Sequence, residues 1–304
     1  QVNSLATLLR TFAAIGLTLP VISGTALGWW EQGQFDWTSA VFVIVGGFLS
    51  ALSVNALWEI IDYRRGLAVD HYEAKLLPDS GYSLLRNGRV TPELMRNVGL
   101  ILGGASLICG LLLSMLAGWP MLLFTVLAYF IALFYAAPPL RYGYRGWGLG
   151  EAGVFASFGL LHVAGGYYAV TQQLSWTTLA AAVPLGLLAL LIVYNYNVLR
   201  YRRDWIIRKR TLVVSLGLAR GIDVSVVIAV ATYGAFVLMA SLGLLPLWTL
   251  LSLGGLPVML GAYSNIWRSN RQADDLSNLY ITTLNAAVIT CVLFCLALGL
   301  DRLL

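Results

Sequence analysis

Charge is scarce in this chain. Only 11% of its 304 residues are Asp, Glu, Lys or Arg, against 59% hydrophobic residues and a mean hydropathy of +0.79. A soluble domain carries roughly a quarter charged residues, so a water-exposed globule of this size could not cover its surface. Cysteine is scarce too. Cys109, Cys291 and Cys295 lie inside apolar runs without ligand spacing. That excludes a disulfide framework and a metal–thiolate centre and leaves small packing residues. Of the two histidines, His71 reads as a solvated loop residue. His162 lies mid-run beside Gly165-Gly166, with no acid following at helical spacing, and reads as an internally hydrogen-bonded side chain. No nucleic-acid motif accompanies the net charge of +5. Anionic lipid headgroups account for that basic bias.

What the chain has instead is long apolar runs. They are continuous rather than alternating, which predicts membrane-spanning helices and excludes a barrel. Nine spans are expected, near 7–30, 38–61, 94–116, 119–138, 149–171, 177–198, 222–243, 246–266 and 279–300, in one domain over 1–304. The first reads as a retained helix, because it is too long for a secretory signal. With nine spans, every Lys and Arg except Arg302 falls on the side holding loops 62–93, 139–148, 199–221 and 267–278. The excess of basic residues marks that side as cytoplasmic. Trp29, Trp30, Trp37, Trp119, Trp176 and Trp248 fall at the opposite ends, as an interfacial belt does. The outer loops hold few charges (Glu31, Asp36, Asp301 and Arg302), so an extracellular receptor has little surface to use there.

Two polar clusters interrupt this apolar pattern at span ends. Asn55, Glu59 and Asp62 stand at i, i+4 and i+7, and so share one helix face. Asn197, Arg200 and Asp204 stand at i, i+3 and i+7, just after Asn195. Ionisable groups at a membrane helix mouth are costly and mark a functional site by default. Two such faces turned toward each other would form a polar chamber suited to Mg²⁺ and diphosphate. Arg200, Arg202, Arg203 and Arg208-Lys209-Arg210 add a cationic cluster, and Tyr63, Tyr135, Tyr194 and Tyr196 lie close enough to line a dry pocket. Glu151, at the base of the fifth span, is a secondary candidate. Asp274-Asp275 reads as solvated, and Asp223 is open between a helix-end charge and a chamber residue.

Further motifs extend along the chain. They are Leu9-Arg10-Thr11-Phe12 with Pro20-Val21 and Gly24, and Asn55-x₃-Glu59-x₂-Asp62-x₃-Gly66. Arg86-Asn-Gly-Arg-Val-Thr-Pro92 follows, then Tyr135-Ala-Ala-Pro-Pro-Leu-Arg141 with Arg145-Gly-Trp-Gly-Leu-Gly-Glu151. The last is Asn197-x₆-Asp204 with Lys209-Arg-Thr-Leu212 and Leu216-Gly217. In order and spacing the chain resembles the UbiA superfamily of membrane-embedded prenyltransferases over its full length. The Gly-Arg-Val-Thr-Pro and Lys-Arg-Thr-Leu pieces look most like the naphthoate (menaquinone-pathway) branch. The resemblance implies a nine-helix bundle with a cytoplasm-facing cavity, and transfer of a polyprenyl group from its diphosphate to an aromatic or other lipid-soluble acceptor. It implies catalytic roles for Asp62 and Asp204. Diphosphate binding would fall to Asn55, Asn197, Arg200, Lys209, Arg210 and Arg141. Mg²⁺ would be held by Asn55, Glu59, Asp62 and Asp204. The tail would lie in a lipid-facing tunnel between helices, with membrane lipids as further partners.

Two departures from the family pattern stand out. Glu59 replaces an aspartate, and Arg200 stands where the second motif begins with an aspartate. A guanidinium stays protonated, so that motif cannot hold a second metal in the usual way. Either Arg200 replaces one metal and binds diphosphate directly, leaving a single Mg²⁺ held by Asn55, Glu59 and Asp62, or it pairs with Asp204 four residues on and fills the metal position. In the second case the chain would be a non-catalytic lipid-binding or structural subunit of a membrane complex.

Overall fold

The computed structural model describes residues 9–66, 84–85 and 87–304. Among these residues the regular structure is helical, with a single isolated bridge between Arg145 and Arg210. The helices are α1 (Thr11–Gln32), α2 (Trp37–Gly66), α3 (Pro92–Ala117) and α4 (Pro120–Phe134). Then come α5 (Leu149–Thr171), α6 (Trp176–Leu199), the short α7 (Tyr201–Ile206) and α8 (Leu212–Leu216), and α9 (Leu218–Ser241). The chain ends in α10 (Leu247–Arg268) and α11 (Ala273–Leu303).

Among the described residues, eight of these helices are long and apolar enough to cross a membrane. The expected fourth span is shorter than read: α4 has 15 residues, about 22 Å at 1.5 Å per residue. The predicted span over 119–138 overran because Pro138 and Pro139 lack the N–H donors that would continue the helix. The other boundaries fall within a few residues of the hydropathy reading. Loop 62–93 and His71 lie largely outside the described residues, as do Lys75 and Arg86.

Packing places α1 at the centre, touching α2, α5, α6 and α11. α2 pairs with α3, and α6 packs on α5 and α9. Where α1 crosses α5 the backbones nearly touch. A Cβ on Gly24 would stand 2.3 Å from the Val163 carbonyl oxygen, and one on Gly166 would stand 2.3 Å from that of Val21. Small residues permit such close approach between membrane helices, where van der Waals packing replaces the hydrophobic drive. α5 widens into π-helical turns over Phe155–Leu161. There the Nδ1 atom of His162 lies 2.6 Å from the Ser157 carbonyl oxygen, which supplies the internal hydrogen bond expected of that residue. The outward faces are apolar. Trp37, Trp119, Trp176 and Trp248 are exposed, as an interfacial belt requires.

Candidate active site at the mouth of α2 and α6

α2 carries its acids on one face because it runs unbroken through Glu59 and Asp62. Both are buried, at 2% and 4% exposure. α6 ends at Leu199. Arg200 takes φ −95°, ψ 13°, and the chain restarts as α7. The face drawn through Asn197, Arg200 and Asp204 on one straight helix is therefore broken at its middle residue. Freed from α6, Arg200 reaches across to α2. Its Nη1 donates to Glu59 Oε2 at 2.9 Å and its Nη2 to Oε1 at 3.0 Å. The expected Arg200–Asp204 side-chain pair is thus replaced by a bidentate fork onto Glu59, the strong form of a guanidinium–carboxylate contact.

Two further cations complete the cluster. Arg203 Nη1 donates to Glu59 Oε1 at 3.0 Å, and its Nη2 lies 3.1 Å from Asp62 Oδ2. Lys209 Nζ donates to the same Asp62 oxygen at 3.2 Å. Tyr144, from the turn Tyr142–Tyr144, donates to Asp62 Oδ1. Glu59, Asp62 and Asp204 thus lie with Arg200, Arg203 and Lys209, and all six are buried. An isolated buried charge would cost several kcal/mol or more, so mutual pairing is the condition for their burial. Asp204 is the exception, since neither carboxylate oxygen has a hydrogen-bond partner. Burial pushes its carboxyl up to about 7; Lys209 and Arg203 pull it down, while Asp62 and Glu59 push it up.

Aromatic faces wall the cluster. The Lys209 ammonium lies 5.1 Å from the Tyr135 ring and 5.4 Å from that of Tyr144, and Arg200 lies 5.0 Å from Tyr196. Arg10, before α1, covers Tyr196 from 3.5 Å. Burial drives the Tyr135 and Tyr144 phenols well above their ordinary range, so both remain protonated donors.

The other expected residues divide. Asn197 is buried and donates to the Tyr135 hydroxyl at 3.2 Å. Asn55 turns its amide toward the Leu9 carbonyl at 3.4 Å, leaving Oδ1 buried without a partner. Arg141 is half-buried with an unpartnered Nε. Asn195 points away, bonded to Thr283 and Ser225, and Tyr194 packs in the core beside α9. The expected Lys209-Arg210 pair is split. Arg208 takes φ 55°, Lys209 is buried, and Arg210 is exposed, as are Arg202 and Arg208. Glu151 accepts the Leu212 amide at 3.1 Å, which fixes the start of α8 rather than entering the cluster. Asp223 is exposed, and Asp275 caps α11 through the Gln272 amide at 2.9 Å. Tyr144 was outside the sequence expectation altogether, because a short turn residue carries no periodicity to flag it.

As a metal centre the set is incomplete. Among the described residues, no group of three or more His, Cys, Asp or Glu is placed to hold a metal ion. The expected ligands Glu59 and Asp62 have their oxygens engaged by Arg200, Arg203, Lys209 and Tyr144.

Comparison with known proteins matches this architecture. The sequence profile of the UbiA prenyltransferase family aligns with residues 17–285. A 2-carboxy-1,4-naphthoquinone phytyltransferase of Synechocystis sp. is 27% identical over 277 residues, spanning 88% of this chain and 83% of its own. A 1,4-dihydroxy-2-naphthoate octaprenyltransferase of Escherichia coli is 31% identical over 257 residues, spanning 82% and 75%. In three dimensions the chain is similar to a UbiA homolog from Archaeoglobus fulgidus, solved with GPP and Mg²⁺. That comparison has a TM-score of 0.66 at 13% identity and covers 96% of this chain and 99% of the other. An apo UbiA homolog from Aeropyrum pernix gives 0.66 at 15% identity, with coverage of 96% and 98%. With its profile match running from α1 into α11 and its fold shared end to end, this chain belongs to the UbiA prenyltransferase family.

Proposed function

We propose that this chain transfers a prenyl group from a prenyl diphosphate to a naphthoate-type aromatic acceptor at the mouth of α2 and α6. The observation that carries the reading is the buried cluster of Arg200, Arg203 and Lys209 against the rings of Tyr135, Tyr144 and Tyr196. Cations and aromatic faces side by side suit the two ends of the bond to be broken. Heterolysis of the C1–O bond sends its electron pair to the diphosphate, where the three cations stabilise the added charge. The allylic carbon becomes cationic and is sheltered by π faces in a site closed to water. A ring carbon of the acceptor then bonds to C1, and that carbon recovers aromaticity by releasing the group it carried, a proton to the departing diphosphate or a carboxylate as CO₂. Asn197, bonded to the Tyr135 hydroxyl, borders the site as a further donor toward the diphosphate, and Asp62 positions Lys209. The naphthoate acceptor is supported by the names of the Synechocystis and Escherichia coli relatives.

A second reading is favoured by one observation. Glu59 is saturated by two guanidiniums, so the cluster is locked as in a structural or lipid-binding subunit. The deciding experiment incubates the protein in nanodiscs with geranyl or longer prenyl diphosphates and a panel including 1,4-dihydroxy-2-naphthoate. The prenylated acceptor, with its carboxyl retained or lost as CO₂ and identified by mass, is the expected product. Absence of product from every acceptor and every chain length would leave the subunit reading standing.

A further inference from the structure

The family's solved members include one bound to Mg²⁺, so the donor set here can be tested against that ion. Magnesium demands near-octahedral oxygen coordination at about 2.1 Å. On α2, Glu59 Oε1 receives Arg200 and Arg203, Glu59 Oε2 receives Arg200, Asp62 Oδ2 receives Lys209, and Asp62 Oδ1 receives Tyr144. No carboxylate oxygen on that helix face is left uncommitted. The oxygens without partners are Asn55 Oδ1 and the two of Asp204, one amide and one carboxylate. A divalent ion at Glu59 or Asp62 would have to displace a guanidinium that cannot deprotonate and is tethered to the same pocket. The displaced charge would then repel the ion at short range in a low-dielectric site. At the α2 acids, where Glu59 and Asp62 were expected to hold it, the donor set does not fit Mg²⁺.

We propose that Arg200, Arg203 and Lys209 stand in for the divalent ion, so that this site takes up a prenyl diphosphate without one. The inference rests on the prenyl-transfer reading and specifies its electrostatics. Three tethered cations sit where mobile ones would otherwise be recruited, and Glu59 and Asp62 hold them as outer-shell groups hold a metal's ligands. The cations retain donors for a ligand. Arg200 Nε has no hydrogen-bond partner, and Lys209, with three N–H groups, gives one to Asp62. The Tyr144 hydroxyl, already turned to Asp62, fixes the acid that orients Lys209. Such an arrangement is assembled before the ligand arrives, which is what makes fixed charges effective in a dry site.

The test is calorimetric titration of geranyl diphosphate into the full-length protein in nanodiscs, once with excess EDTA and once with millimolar Mg²⁺. Dissociation constants agreeing within about twofold are expected. Tightening by more than about tenfold with Mg²⁺, equivalent to about 1.4 kcal/mol, overturns this proposal and leaves the prenyl-transfer reading intact. Binding in neither arm overturns both. A second readout needs no prenyl substrate. The electron paramagnetic resonance signal of free Mn²⁺ should persist when the protein is added, and its loss to a protein-bound species overturns the proposal. Lys209→Met in EDTA should weaken geranyl diphosphate binding about tenfold, the value of one charge-assisted contact. Unchanged affinity in both Lys209→Met and Arg200→Gln also overturns it, and should neither variant fold, the titrations of the unmutated protein still decide.

Discussion

At the residue scale the unusual group is Asp204. It is 1% exposed, and no donor reaches its carboxylate. Its folded-state carboxyl is pushed up from 3.8 to about 7 by burial above all. The sign of the consequence follows. Below about pH 4 both folded and unfolded chains carry the proton, and Asp204 contributes nothing to pH dependence. Between about 4 and 7 the unfolded chain ionises while the folded chain keeps its proton, so stability falls as pH rises, by up to about 1.4 kcal/mol per unit. Above about 7 the loss is complete. Asp204→Asn, nearly isosteric and always neutral, should therefore raise Tm at pH 8 and leave it nearly unchanged at pH 4. Thermal unfolding in detergent across that range checks this, and a difference that does not grow with pH would count against the assignment.

At the element scale the contact between α1 and α5 sets the frame in which α2 and α6 meet. It depends on the absence of side chains at Gly24 and Gly166, where an added Cβ would press on backbone rather than on a side chain able to turn aside. Gly24→Ala should destabilise the bundle by about 1–3 kcal/mol, the usual cost of overpacking. Gly234→Ala in α9, where a new Cβ meets nothing within 4 Å, should be neutral or mildly stabilising, because it removes a helix glycine. Denaturation of both variants side by side gives the comparison, and equal stabilities would remove the close-packing argument. The same scale explains the position of Arg200. The unbroken α2 presents its acids as a ridge, whereas the break between α6 and α7 swings Arg200 and Arg203 onto that ridge.

At the scale of the whole molecule the basic residues set orientation. Arg302 hydrogen-bonds the Trp30 carbonyl and Asp301 accepts from Trp30 Nε1 at 2.9 Å, so the ends of α1 and α11 are tied at the face away from the cluster. Among the described residues, Arg200, Arg203 and Lys209 mark the cluster end, which is predicted to face the cytoplasm. Gly88 is exposed at that end. A cysteine placed there should react with a membrane-impermeant maleimide in inside-out vesicles and not in intact cells, against a background in which Cys109 and Cys291 are buried. Labelling from outside would invert the orientation.

The sequence by itself determined the membrane class, the positions of eight of the nine expected spans, and the helix face of Asn55, Glu59 and Asp62. These are one-dimensional properties. Hydropathy depends on composition along the chain, and a face follows from 3.6-residue periodicity while a helix stays unbroken. The family resemblance is likewise a matter of linear motifs. What only the tertiary structure decided is which charge meets which. Arg200 stands four residues from Asp204 yet bonds Glu59, 141 positions away. The helix ends at Leu199, and beyond that break spacing no longer predicts direction. Lys209 enters the cluster and its neighbour Arg210 does not, because a positive φ at Arg208 turns the chain between them. Tyr144 arrives from a turn without periodicity, 82 positions from the acid it holds. In a low-dielectric pocket such pairings are set by which charges can neutralise one another on burial, and that is a property of three-dimensional proximity.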